Sequence, residues 1–302
     1  MKKILILISI LSLITSCGNS YVEQRRISQS ERIKIHREDS LALKIAVLPT
    51  LDCLPLYVAV ERVMYDTAQL DLRLKRFTAQ MDCDTAIVGR SVEGMVSDLV
   101  RTERLKDAGV PMAYVTSTDT YWQLWASHKA RIKRLEQLGD KMVAMTRYSA
   151  TDFLTDYVLD GIKTSSTVFR IQVNDVNIRL AMLQNNEMDA MWLTEPQATA
   201  ARLSKASKIY DSKDTKLNLG VIAFRKEVLN DDHRKKQIKC FVEAYDMACD
   251  SINRFGINHY KDVLFKYCKI DDRVVNALPK LKFSKVQKPK QKYIDAIKSK
   301  KK

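Results

Sequence analysis

Two hydrophobic periods alternate along most of this chain. Leu43-Lys44-Ile45-Ala46-Val47-Leu48 is a short apolar run closed by Pro49, which predicts a strand. Leu56–Met64 has apolar residues at helical spacing, and Leu70–Phe77 alternates strictly, as a strand with one polar face does. Asp82–Gly89 predicts a short helix with an acidic first turn and a glycine stop. A strand at Glu93–Asp98, a helix over Leu99–Ala108 closed by Gly109, and a strand at Met112–Thr116 follow. The succession then restarts. Strands at Trp122–Ala126, Lys141–Met145, Phe169–Val173 and Met188–Leu193 alternate with helices over Ser149–Leu159, Asn177–Gln184 and Gln197–Leu203. Beyond Gly220 come one strand, Val221–Phe224, and helices over Asp231–Phe255 and Tyr260–Lys269. Such alternation predicts α/β layers with largely parallel sheets.

The N-terminus follows a different rule. Met1-Lys2-Lys3 precedes the apolar run Ile4–Ile14, too short and wrongly flanked for a lasting membrane span but fit for a signal peptide over 1–16. Ile14-Thr15-Ser16-Cys17-Gly18 resembles the lipobox of bacterial lipoproteins. That resemblance implies cleavage before Cys17 and acylation of Cys17, with enough acyl chain on one residue for stable anchoring. Residues 17–42 are mostly polar and read as a tether, with room for a short helix.

Composition narrows the classes. The remaining stretch of about 260 residues exceeds a usual single core, so two domains are expected. The net charge of +15 is concentrated near the C-terminus, from Lys280 to Lys302. Only Phe283 and Tyr293 are interleaved there, so a solvated tail lying on anionic lipid is expected, and no nucleic-acid partner. After Cys17 there are five cysteines, an odd number, and the histidines are scattered, so no metal site is expected. Most of these cysteines read as small buried apolar residues. An oxidising compartment leaves room for one disulfide, with Cys53–Cys83 the first pair to test.

In open α/β sheets ligands sit outside the carboxyl ends of strands. That rule selects Thr50, Leu51 and Asp52 after the first strand, Gln80 and Asp82 near the next loop, then Ser97, Asp98, Thr116 and Ser117. In the second half it selects Thr146, Arg147, Tyr148, Ser149 and Thr151, then Thr194 and Glu195. Several have a plainer reading. Ser149 and Thr151 suit a helix cap, as do Asp52 and Asp98 before Leu54 and Leu99; Glu195-Pro196 suits a helix start. Trp122 and Trp192 read as core residues, and Arg147 as a surface charge unless an anion sits beside it.

The order of elements resembles the solute-binding proteins for nitrate, sulfonates, taurine and thiamine precursors. Three stretches carry the likeness: Pro49–Ala59 after the first strand, Leu138–Ala144 leading into Arg147–Thr151, and Gln184–Pro196 with its Met188-Asp189-Ala190 strand start and Glu195-Pro196 pair. It covers residues 43 to 225, while Gly89–Gly94 is poorer in glycine than the family pattern and Met81–Asp84 departs from it. The resemblance implies a two-lobed type II periplasmic-binding-protein fold with a ligand cleft between lobes. Lobe I would take 43–117 and 220–302, and lobe II 118–219. It further implies a periplasm-facing, membrane-anchored protein of the cell envelope that captures a small solute for the permease and ATPase subunits of an ABC importer. Asp52, Asp82, Asp98 and Glu195 outnumber Arg147, which favours a neutral or amine-bearing ligand such as a thiamine-precursor pyrimidine over a sulfonate.

Catalysis finds little footing. No GxSxG, Walker loop, GxGxxG or HExxH occurs, and no cofactor is expected. The same fold serves some enzymes of cofactor biosynthesis, and an envelope lipoprotein can use it as a protein-interaction subunit; both stand as alternatives to solute capture.

Overall fold

The computed structural model describes residues 21–299. The leader and Cys17 therefore lie outside the described residues. Two compact units divide after Ala42. In the first, residues 21–41 form one helix, α1 (Tyr21–Leu41), longer than the short helix the tether had room for. No glycine or proline interrupts these positions, most are good helix formers, and Lys34 meets Glu38 at 4.0 Å one turn on.

The second unit opens with β1 (Leu43–Val47), α2 (Leu54–Glu61), β2 (Leu72–Arg76), α3 (Gln80–Val88), β3 (Gly94–Asp98), α4 (Leu99–Asp107) and β4 (Met112–Ser117). Next come β5 (Gln123–Ala126), β6 (Met142–Met145), α5 (Ala150–Leu159), β7 (Phe169–Gln172), α6 (Val176–Gln184), β8 (Ala190–Leu193), α7 (Gln197–Leu203) and β9 (Ser207–Asp211). The chain closes with β10 (Gly220–Arg225), α8 (Lys226–Asn230), α9 (Asp232–Phe255), α10 (Lys261–Cys268), α11 (Asp272–Ala277) and α12 (Gln291–Ser299).

The strands form two five-stranded sheets, ordered β2-β1-β3-β10-β4 and β7-β6-β8-β5-β9. β1 shows why the apolar run had to be a central strand. Leu43, Ile45 and Val47 point into one core with α2 and α9, while Ala46 points into another with Cys83, Ile87 and Met95. A strand buried on both faces needs apolar residues at successive positions. The sheets are mixed, which corrects the largely parallel expectation. β1 pairs in parallel with β2 and β3, but β10 returns antiparallel between β3 and β4. Likewise β6 pairs in parallel with β7 and β8, while β5 runs antiparallel to β8 and β9. Hydrophobic period reveals burial and not direction, so the returning strands were invisible as such. β9 was missed outright: Ser207-Lys208-Ile209-Tyr210-Asp211 is an edge strand with two apolar residues.

Two passages join the sheets. The chain leaves the first after Ser117 and enters the second at Gln123; it leaves the second at Asp211 and returns at Gly220. Over its described residues, 280–299, the basic C-terminal segment lies on the body and is not a solvated tail. Phe283, Ile294 and Ile297 are buried, and Lys298 Nζ meets the buried Glu103 at 3.0 Å. Isolated apolar positions inside a lysine-rich run give little periodic signal. All five described cysteines are free thiols, and Cys53 and Cys83 sit in different cores, so the expected first pair is not formed.

Candidate ligand site

The carboxyl ends of the central strands of both sheets face one cavity of about 60 Å³, room for roughly four to six water-sized groups. From the first sheet come Leu48, Thr50 and Asp52 after β1, Gln80 at the start of α3, and Ser97 and Asp98 at the end of β3. From the second come Thr146 after β6, Ser149 and Thr151 at the start of α5, and Trp192, Leu193 and Thr194 at the end of β8. Val176 and Arg179 of α6 and Gln197 of α7 complete that side, while Thr120 and Trp122 enter from the first passage.

Local chemistry explains how each is held. Asp98 caps α4 by accepting from the Arg101 N–H at 2.9 Å. Ser149 caps α5 by accepting from the Thr151 N–H at 3.1 Å, and the Thr151 hydroxyl accepts from the Thr146 N–H at 2.9 Å. These contacts satisfy orphan donors at helix starts and lock the side chains that border the cavity. Asp52 does otherwise. No side chain caps α2, and Asp52 Oδ1 meets no partner among the described residues.

Four side-chain atoms at this cavity are buried without a protein partner: Asp52 Oδ1, Thr146 Oγ1, Arg179 Nε and Gln197 Oε1. Buried polar groups are almost always paired with protein or ordered water, so four at one cavity single it out as the candidate site. Electrostatics agrees. Arg179 is 6% exposed, and its one side-chain hydrogen bond among the described residues runs from Nη1 to the Trp192 carbonyl at 3.0 Å. Desolvation pulls its guanidinium down to about 10. Burial pushes the Asp98 carboxyl up to about 6, against the opposing pull of the Arg101 N–H and guanidinium, and burial raises Asp52 as well. The site thus holds a fixed positive charge on one side and two acids of weakened acidity on the other.

Nine of the sixteen residues selected from the sequence line this cavity: Thr50, Asp52, Gln80, Ser97, Asp98, Thr146, Ser149, Thr151 and Thr194. The other seven do not. Leu51 and Glu195 border a smaller neighbouring cavity, where Glu195 accepts from Gln123 Nε2 at 3.1 Å and from the Thr199 N–H at 3.0 Å. Asp82 borders an open groove beside it. Thr116 and Ser117 are occupied by the C-terminal segment: the Thr116 hydroxyl accepts from the Gln287 N–H at 3.0 Å, and the Ser117 N–H donates to the Gln287 carbonyl at 2.7 Å. Arg147 is exposed, and Tyr148, 53% exposed at φ +57°, lies under the Arg104 guanidinium at 3.7 Å. Both precede α5, but only Ser149 and Thr151 turn inward. Arg179 and Gln197 were missed because helix interiors fall outside the strand-end rule. Trp192 is a core residue as read, with Nε1 donating to Thr155 Oγ1 at 2.9 Å, yet it also borders the cavity, as does the half-buried Trp122.

The two sides touch around the cavity. Gln197 Nε2 donates to the Pro49 carbonyl at 2.9 Å, and the Leu51 N–H donates to the Glu195 carbonyl at 2.9 Å. The Val176 N–H donates to the Thr78 carbonyl at 3.0 Å, and Arg101 Nη1 to the Arg147 carbonyl at 3.2 Å. Among the described residues no cluster of three or more His, Cys, Asp or Glu side chains is placed to hold a metal ion.

No family model matches this chain, and no curated protein does. Solved structures match it well. A ligand-binding component of an ABC-type import system from Staphylococcus aureus, with zinc bound, is 16% identical at a TM-score of 0.72, over 85% of this chain and 90% of that one. The alkanesulfonate-binding protein SsuA from Xanthomonas axonopodis pv. citri, bound to MOPS, is 15% identical at 0.71, over 85% and 90%. A Candida albicans protein described as exhibiting the generic periplasmic binding protein structural fold is 14% identical at 0.58, over 78% and 79%. With two mixed sheets, two passages between them and one cavity at their facing strand ends, the chain has the two-lobed α/β fold of the periplasmic binding proteins.

Proposed function

We propose that this chain is a lipid-anchored solute-binding protein that captures a small polar molecule between two lobes and presents it to the permease of an ABC importer. The observation that carries the reading is the set of unpartnered buried polar atoms at one cavity, supplied from both sheets. Lobe I takes 43–117 and 220–302, and lobe II takes 118–219, so that the passages near 117–123 and 211–220 act as the hinge. The contacts of Gln197 with Pro49 and of Leu51 with Glu195 then belong to the closed arrangement. The alkanesulfonate-binding protein and the import component of similar fold support this role. Cys17 is the acylated residue, residues 1–16 are the signal removed on export, and the mature chain faces the periplasm. The reading gives the chain no chemistry of its own; ATP hydrolysis belongs to a partner subunit.

The test is a thermal-shift screen of the full chain in mild detergent against sulfonates, nitrate, amino acids, pyrimidines and thiamine. A ligand at about 100 times its Kd adds about 2.7 kcal/mol. A selective shift lost in Asp52→Ala supports capture at this cavity, whereas a shift that survives there places the ligand elsewhere. For the anchor, Cys17→Ala is expected to leave the chain in the soluble fraction and to abolish fatty-acid labelling.

A further inference from the structure

The orphan atoms of the cavity are not chemically alike, and their kinds describe the ligand. Arg179 Nε can only donate. It belongs to a guanidinium that is buried and forms no ion pair among the described residues. Asp175 and the Trp192 carbonyl offset only part of its desolvation, and an anion brought against Nε would offset more. Gln197 Oε1 can only accept, its Nε2 being spent on the Pro49 carbonyl. Asp52 Oδ1 accepts when ionised, and the Asp98 carboxyl beside the same cavity adds acid character to that side. A plain anion such as nitrate or an alkanesulfonate would satisfy Arg179 but would offer no donor to Asp52 and Gln197. A plain amine would do the reverse.

We infer that the ligand is a compact zwitterion, its acid group held by Arg179 of α6 and its ammonium group by Asp52 and Gln197. This rests on the solute-capture reading and sharpens it. The volume, room for roughly four to six water-sized groups, selects molecules the size of glycine or β-alanine over a two-ring ligand. Arg179 and Gln197 stand beside the second sheet, and Asp52 follows β1 of the first. A molecule held by all three therefore ties the lobes together. The charge preference also departs from the count made on the sequence, which set four acids against Arg147. Asp82 and Glu195 lie outside this cavity, and Arg179 replaces Arg147 as the cation.

Isothermal titration of the full chain in mild detergent tests this with matched probes: glycine and β-alanine, the acids acetate and propanoate, the amines methylamine and ethylamine, and inorganic phosphate. The zwitterions are expected to bind, and loss of either pole to weaken binding by about 100-fold. Arg179→Met is expected to erase the preference for β-alanine over ethylamine, and Asp52→Asn that for β-alanine over propanoate. The probe series needs no variant, so a misfolded substitution leaves the test intact. Propanoate binding as tightly as β-alanine would overturn the role of Asp52 and Gln197. Tight binding of phosphate with none of the zwitterions would replace the ammonium by an O–H donor and overturn the inference. A pyrimidine or other neutral solute binding in the zwitterions' stead would overturn it while leaving solute capture in place. No binding by any probe or by any solute of the wider screen would remove both.

Discussion

Replacing Arg179 by methionine separates a residue kept for the ligand from one kept for the fold. The guanidinium is 6% exposed and forms no ion pair among the described residues. Its fall from 12.5 to about 10 corresponds to roughly 3 kcal/mol by which the fold disfavours the charged form. Against this stands one hydrogen bond, from Nη1 to the Trp192 carbonyl at 3.0 Å, a charged donor on a neutral acceptor worth about 1.5–3 kcal/mol. Methionine keeps most of the aliphatic stem that packs within α6 and loses both terms. The two nearly cancel, so Arg179→Met is expected to unfold in urea within about 1.5 kcal/mol of the parent, on the stable side if anything. The ligand-induced gain in stability should vanish in the same variant. Equilibrium urea unfolding with and without β-alanine reads both quantities, provided the m value is unchanged. A loss of more than about 2 kcal/mol without ligand would refute the reasoning. It would mean that the Trp192 carbonyl, and not a ligand, is the partner for which Arg179 is buried.

Three further outcomes follow from the same geometry. Burial holds the Asp98 carboxyl at about 6 against 3.8, so between those values the folded chain keeps a proton that the unfolded chain has lost, and stability falls as pH rises through that window. Asp98→Asn, which can still cap α4, should therefore gain up to about 3 kcal/mol at pH 7.5 and nothing at pH 3.5; a loss at pH 7.5 would show that Arg101 attraction outweighs desolvation. Glu103 has the opposite sign. Hydrogen bonds from Lys106, Tyr114 and Lys298 hold its carboxyl at about 2, so its contribution is present above 4.5 and is lost as pH falls toward 2. Because both lysines are partly in water, Glu103→Gln should cost about 1–2 kcal/mol at neutral pH, read by thermal unfolding at pH 7 and pH 3. At the second passage, a Cβ on Gly220 would stand 2.2 Å from both Thr118 Oγ1 and Thr120 Cγ2. Gly220→Ala should lower stability by about 1–3 kcal/mol and weaken ligand binding with it, since Thr120 borders the cavity; unchanged unfolding would show that the passage yields freely.

What the sequence disclosed and what it withheld divide along a physical line. Elements marked by an apolar pattern between turn signals were legible: α7 begins and ends where predicted, at Gln197 and Leu203, and the predicted strand at Phe169–Val173 forms over Phe169–Gln172. Strand-end polar residues were legible too, because position along an α/β unit fixes which end of the sheet they meet. Thr50, Asp52, Ser97, Asp98 and Thr194 reached the cavity by that rule alone. Arg179 obeys no local rule. In Val176-Asn177-Ile178-Arg179-Leu180 it reads as the polar face of an amphipathic helix, and nothing nearby in the chain announces that this face meets β8. Arg179 meets the Trp192 carbonyl thirteen residues on, a tertiary contact that no local pattern announces. The same holds for Tyr148 in reverse. It follows β6 in the chain and so satisfied the rule, but a left-handed backbone at that residue turns the ring outward onto Arg104 while Ser149 turns in. A one-residue change of direction is beyond periodicity, and it moved the cation of the site from Arg147 to Arg179. That displacement decides more than any element boundary, since a ligand class argued from charge depends on which single arginine is counted.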